Sequence, residues 1–278
     1  MSAFIITGLA LLLIAWLIGQ PYLTERKRRR IRARAFPATW RDILKRRVPY
    51  VRAMPADLQL QLKQHIQVFL AEKAFIGCDG LEISEEMRVT IAALACLLIL
   101  NRPDYYYPGL RQILVYPGSF VVNQSHTDDS GVAHNARQVL SGESWSQGQV
   151  ILSWHDTLLG AATPNDGQNV VIHEFAHQLD QETGVANGAP ALARRDHYAR
   201  WSQVLGAEYD ALQARTGHTH TDSPTHASLF SDYGATDPAE FFAVISEVFF
   251  EQPQRMAAEH PALYRELALF YRLDPLSW

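Results

Sequence analysis

The stretch VVIHEFAHQLD, residues 170–180, sets His173 and His177 four apart with Glu174 directly after the first. On a helix, residues four apart stand on one face, a turn from each other. Two imidazoles so placed can reach one metal ion. Glu174 points roughly 100° away, beside such an ion rather than onto it. This is the HExxH arrangement of zinc hydrolases. Two neutral imidazoles, a third protein ligand and an open position for water suit Zn2+. The metal would acidify that water, and Glu174 would take its proton and later hand it to a leaving amine. The residues around the pair (Val170, Val171, Ile172, Phe175, Ala176, Leu179) are apolar. A helix that buries two histidines and a glutamate needs a chemical reason to do so.

The third ligand decides the subclass. A metzincin carries glycine three positions after the second histidine and another histidine three further on; this chain has Asp180 and Thr183 there, which excludes that class. Asp180, one turn beyond His177, suits a helix-surface carboxylate or one that supports a ligand from behind. A carboxylate on a distant helix is the remaining common solution. AEFFAVISEVFF, residues 239–250, offers Glu240 and Glu247, seven apart and therefore on one face, both in apolar surroundings where an unpaired carboxylate is costly.

Helices and strands must position these groups. Met54–Phe75 has Leu58, Leu62, Ile66 and Phe69 at three- and four-residue steps, an amphipathic helix. Ser84 opens a second helix, apolar nearly all round and hence buried. QILVYP (112–117), SFVV (119–122) and QVILSW (149–154) read as strands, and QVILSW is the candidate to hold an extended peptide by main-chain pairing. The polar stretch between the last two strands, with His126 and His134, reads as a loop with room for a short strand. Asn165-Asp166-Gly167 turns the chain into the histidine helix, and Gly184 ends it. A helix follows from about Arg194 to Arg215. His218, His220 and His226 lie in a polar loop with no carboxylate or helix to fix them, a flap bordering the cleft rather than a second metal site. Asp237 and Pro238 begin the helix that carries Glu240. The expected fold is α+β: a zincin-like metallopeptidase domain with a small twisted sheet and an active-site helix pair, preceded by an N-terminal transmembrane helix.

That last element comes from charge segregation. The 278 residues have a net charge of −4 and are 47% apolar, as expected of a globular chain. Residues 1–23 carry no charged side chain, whereas residues 24–52 hold twelve Lys or Arg against Glu25 and Asp42. Ala3–Gly19 is unbroken apolar sequence, and RKRRRIRAR follows with no basic residue ahead of it, the reverse of a cleavable signal. The expectation is a single-pass anchor in the inner membrane through residues 3–23, a basic juxtamembrane linker over 24–52, and a zinc metallopeptidase domain over 53–278 on the cytoplasmic side. The acidic body excludes direct nucleic-acid binding as the main role. Cys78 and Cys96 form no CxxC and read as reduced core thiols.

HEFAHQLD and YGATDPAEFFAVISEVFF, with ILVYP and VILSW upstream, resemble the Mlc titration factor A (MtfA) family of zinc-dependent peptidases over roughly residues 36–273. The downstream segment is also similar to lethal-factor-type toxin proteases, which share a tyrosine seven residues before a glutamate followed by FFA. The resemblance implies His173, His177 and Glu240 as ligands, Glu174 as general base and Tyr233 near the scissile carbonyl, where a phenol donates to a developing oxyanion. Glu247 then supports a ligand histidine. The resemblance further implies aminopeptidase-type hydrolysis of small or unstructured peptides, with peptide or protein substrates, and a link to a sugar-responsive transcriptional repressor. The rival reading is a membrane-tethered regulator-binding protein in which the metal is structural. It predicts binding that survives loss of Glu174.

Overall fold

The computed structural model describes residues 2–102, 104–127, 133–140, 142–145, 148–163, 165–217 and 228–278. The His218, His220 and His226 loop lies outside them. The chain begins with helix α1 (Ser2–Arg32), then α2 (Ala38–Arg47), α3 (Tyr50–Ala53) and α4 (Ala56–Glu72). Strand β1 (Ala74–Gly77) leads to α5 (Glu85–Leu97) and β2 (Gln112–Tyr116). A hairpin of β3 (Phe120–Thr127) and β4 (Ala133–Leu140) precedes β5 (Gly142–Trp145) and β6 (Gln149–Ser153). Helices α6 (Trp154–Ala162), α7 (Val170–Asp180), α8 (Arg195–Thr216), α9 (Pro238–Glu251), α10 (Pro253–Glu259) and α11 (Pro261–Tyr271) complete it.

The main sheet runs β1-β2-β6-β5, parallel except for β5, which is antiparallel to β6. The expectation that QVILSW holds a peptide by main-chain pairing is therefore corrected. Among the described residues both edges of β6 are paired over Gln149–Leu152, by β2 and β5, which leaves that stretch no ladder groups for a guest strand. Among the described residues β5 forms that border of the sheet, and it packs beside α7. The strand read at 119–122 is the start of β3, and the polar stretch after it, read as a loop with room for a short strand, continues β3 and pairs it with β4, from Phe120 opposite Leu140 to Thr127 opposite Ala133. That polar stretch shows no apolar alternation, the signal on which a strand reading rests.

Local chemistry sets the helix starts. The Ser84 hydroxyl accepts from the Met87 N–H at 3.2 Å, capping α5. Every residue of α5 from Val89 to Leu97 is buried, as its all-round apolar sequence requires. The core joins α4, α5, α7, α9 and α11 against the sheet. Phe175 on α7 is fully buried, its ring 4.9 Å from Tyr107 and 5.8 Å from Phe69. Phe175→Ala should cost about 3–5 kcal/mol. Urea unfolding of the variant checks this; a loss below about 1 kcal/mol would mean that α7 is not anchored by this ring.

The expected membrane-anchored (single-pass) placement, with the catalytic domain cytoplasmic, is corrected. Among the described residues no helix is long and apolar enough to cross a membrane. The expected span, residues 3–23, begins with the uncharged run Ala3–Gly19. Gln20 and Pro21 follow it within the same helix. Nor does the basic stretch stand off from the body as a collar. Arg28 makes a two-pronged bond to Glu72 on α4, at 2.8 and 2.9 Å, and its guanidinium lies 4.6 Å from the Tyr106 ring centroid. Ile31 is buried in the core. Residues 38–53, read as linker, form α2 and α3, and Arg46 and Arg47 pair with Glu86 at the start of α5.

Candidate metal centre

Helix α7 starts at Asn169, whose side-chain oxygen accepts from the Ile172 N–H at 3.2 Å. This fixes the first turn, from which His173 and His177 project together, their rings 4.9 Å apart. Helix α9 packs along α7. Asp237 caps α9 by accepting from Ala239 and Glu240 N–H groups at 2.8 and 2.9 Å, and Pro238 fills the first position, where no N–H is needed. Glu240 is thereby presented within the first turn of α9.

The Nε2 atoms of His173 and His177 are 3.2 Å apart, and Glu240 Oε2 lies 2.9 Å from the first and 3.4 Å from the second. These three ligand atoms form a triangle whose edges match those expected around a tetrahedral zinc ion, about 3.3 Å for bonds near 2.0–2.1 Å. The donor set fits a cation on chemical grounds too. His173 Nδ1 is 2.8 Å from Glu247 Oε1. A carboxylate only accepts, so in the neutral ring that a metal would bind, the Nδ1–H goes to Glu247 and Nε2 turns its lone pair toward Glu240. Acceptors aimed at one another inside a protein require a positive charge between them, either a second proton on the ring or a cation. Without a cation, burial works against a charged His173, but Glu247 and Glu240 outweigh it and hold the ring well above the usual histidine range. Glu240 is raised by burial, but its bonds to His173 and His177 outweigh that and hold it well below the carboxylate range.

Glu174 is buried, and its Oε2 has no hydrogen-bond partner among the described residues. Burial pushes this carboxyl up to about 7, against the pull of the two histidines. An orphaned carboxylate oxygen beside converging ligands is poised to handle a proton. Tyr233 is partly exposed, with its ring 5.9 Å from that of His173 and its hydroxyl bonded to Glu240; burial and the Glu240 charge raise the phenol above its ordinary range.

The structure thus brings His173, His177, Glu174, Glu240 and Tyr233 into one cluster, with Glu247 behind it. Asp180 contributes none of the converging atoms, though its charge acts on His177. It is fully buried rather than on a helix surface, and accepts from the Gly188 N–H at 2.7 Å. Gly188 has φ +74°, and a Cβ there would meet the Pro238 carbonyl oxygen at 2.4 Å. Asp180 and Gly188 so fix the turn that follows α7 against the start of α9. Sequence reading passed over Glu251 and Asn169. The signal for Glu251 was present, since it stands in the same apolar surroundings that marked Glu247, four residues earlier.

A helix-rich domain with a small, mostly parallel sheet, and two imidazoles and a carboxylate converging on one point, fits a metallopeptidase. The chain belongs to the glucose-regulated metallo-peptidase M90 family, whose model matches residues 23–272. It is 36% identical over 231 residues to Mlc titration factor A of Enterobacter sp. strain 638, covering 83% of this chain and 84% of that one. Mlc titration factor A of Escherichia fergusonii is 37% identical over 230 residues, covering 82% and 84%. An uncharacterized protein of Synechocystis sp. is 38% identical over 273 residues, 98% of this chain and 97% of its own length.

Proposed function

We propose that this chain is a zinc-dependent peptidase that hydrolyses peptide bonds, with His173, His177 and Glu240 as the metal ligands and Glu174 as the general base. One observation carries the reading: two imidazole nitrogens and a carboxylate oxygen on α7 and α9, all within 3.4 Å of each other, with His173 Nδ1 2.8 Å from Glu247 on the far side of the ring. When bound, zinc supplies Lewis acidity that acidifies water toward neutral pKa and polarises a carbonyl. The protein's own groups do the rest. Glu247 takes the Nδ1–H of His173 and sets that ring's direction. Glu174 Oε2, which has no hydrogen-bond partner among the described residues, takes a proton from the attacking water and passes it to the leaving amine. The Tyr233 hydroxyl donates to the oxygen that gains charge as the carbonyl becomes tetrahedral. The outer border of β5, unpaired among the described residues and beside α7, offers ladder groups to an extended substrate backbone.

The family resemblance supports an aminopeptidase-type reaction on small or unstructured peptides. The test is metal analysis of the full chain paired with cleavage of a peptide library, before and after chelation and after zinc is returned. Protein that binds no zinc, or cleaves equally well without it, ends the proposal. Tyr233→Phe should lower kcat about 10²-fold with KM and zinc content near wild type; a change under threefold would remove Tyr233 from the reaction.

The name of the Mlc titration factor relatives favours a second reading, in which this chain captures a transcriptional regulator and the metal is structural. That reading expects capture to survive Glu174→Gln unchanged.

A further inference from the structure

Glu251 is almost fully buried at the end of α9, on the same face as Glu240 and Glu247, and no step above uses it. Its Oε1 accepts from the Tyr50 hydroxyl at 2.6 Å and from Asn169 Nδ2 at 3.1 Å; its Oε2 accepts from the Gly167 N–H at 3.1 Å. Burial and the neighbouring acid Asp166 push this carboxyl up to about 8, against the pull of the bonds from Tyr50 and Asn169. A buried carboxylate with no cation beside it is costly. It is well matched here because three donors converge on it and both of its oxygens accept, whereas an amide offers one acceptor atom.

What these bonds hold is the first turn of α7. Asn169 caps that helix with Oδ1, and because its Nδ2 is pinned to Glu251, the amide cannot rotate away from the Ile172 N–H. The backbone of Asn169 is bonded twice more: its N–H goes to Glu247, and its carbonyl accepts from the His173 N–H at 2.9 Å. His173 therefore has its ring fixed by Glu247 and its backbone fixed by a residue that Glu251 and Tyr50 hold.

We propose that Glu251, braced by Tyr50 on α3, is a positioning residue for the metal centre, acting through Asn169 and the cap of α7. This rests on the ligand assignment above and extends it. Glu251 is not itself a ligand and touches no reacting atom. Its role is to keep His173 aimed, so that metal binding does not have to supply the order of the first helical turn.

The experiment measures zinc affinity of the full chain by competition with a chromogenic chelator, alongside urea unfolding of the metal-free protein and kcat and KM of the loaded one. Glu251→Gln should weaken zinc binding about tenfold, as loss of outer-shell partners does. Tyr50→Phe removes one hydroxyl and should weaken it about threefold. If Glu251→Gln does not fold, Tyr50→Phe carries the test. Leu267→Ala, in the core on α11, should lose stability while keeping zinc affinity. Zinc affinity within twofold of wild type in the folded Glu251 and Tyr50 variants overturns the proposal. So does equal weakening by Leu267→Ala, which would make the effect general loss of stability. A wild-type chain that binds no zinc would instead sink the ligand assignment, and this inference with it.

Discussion

Glu174→Gln abolishes turnover, lowering kcat about 10²–10⁴-fold, while zinc content stays at wild-type level. The substitution keeps the shape of the side chain and removes its ability to take a proton. Nothing in the ligand triangle changes, because Glu174 contributes none of the three converging atoms. The expected signature is thus a split: metal retained, stability retained or raised, catalysis gone. Stability should not fall, since a buried carboxyl with an orphaned oxygen costs the folded state free energy that an amide costs less. The pH profile of the wild type adds a second check. Glu174 must be ionised to act as a base, and in the metal-free site its carboxyl lies near about 7. A bound dication favours the ionised form. The acid limb of kcat/KM should therefore fall below pH 7. Retention of a tenth of wild-type turnover in the Gln variant would show that another group moves the proton; loss of zinc would show that Glu174 helps to hold it.

Removal of a ligand should have an effect as large, by a different route. Glu240→Ala and His173→Ala each leave two of three protein ligands, and both activity and zinc should be lost together. Chelation of the wild type should reproduce the activity loss, and zinc should restore it. Binding to the folded state alone stabilises by about 2.7 kcal/mol when free metal is a hundredfold above Kd. Wild-type melting should then rise by several degrees on zinc addition. The Glu240→Ala melting curve should not move. A variant that still melts higher with zinc would show that another carboxylate completes the site, and Glu247 would be the first to examine, since it already contacts His173.

The two sets of outcomes separate the rival readings. An enzyme loses turnover with Glu174 and keeps its metal. A regulator-binding protein with a structural metal keeps its function in Glu174→Gln and loses it only when the ligands go. The N-terminal helix bears on neither outcome. Its basic end is tied to α4 through Arg28 and Glu72, so full-length protein is the proper material for both tests.

The histidine helix and the Glu240 helix were legible in the sequence because their signals are local. The i, i+4 spacing of His173 and His177, the Asp237-Pro238 start of α9 and the Ser84 cap of α5 each depend on a few neighbouring residues and the geometry of one helical turn. The strands were less so. β1 and β5 are four residues each, too short for alternation to register, and the hairpin of β3 and β4 is polar throughout much of its length. An uncharged run of seventeen residues read as a membrane span because hydropathy alone does not report that the same helix continues into a segment packed on the body.

What the sequence by itself determined was which side chains could meet on each helix: two imidazoles on one, and two carboxylates, Glu240 and Glu247, along a face of the other. Which carboxylate reaches which nitrogen was decided by tertiary structure alone. Glu240 and Glu247 share a face and the same apolar setting, and nothing in their spacing ranks them. The packing of α9 along α7 places the first turn of α9 at the Nε2 side of His173 and the later turns at its Nδ1 side and at the helix cap. The reason is geometric: a helix repeats its face every turn, so position along its axis acquires chemical meaning only when a second helix is laid beside it.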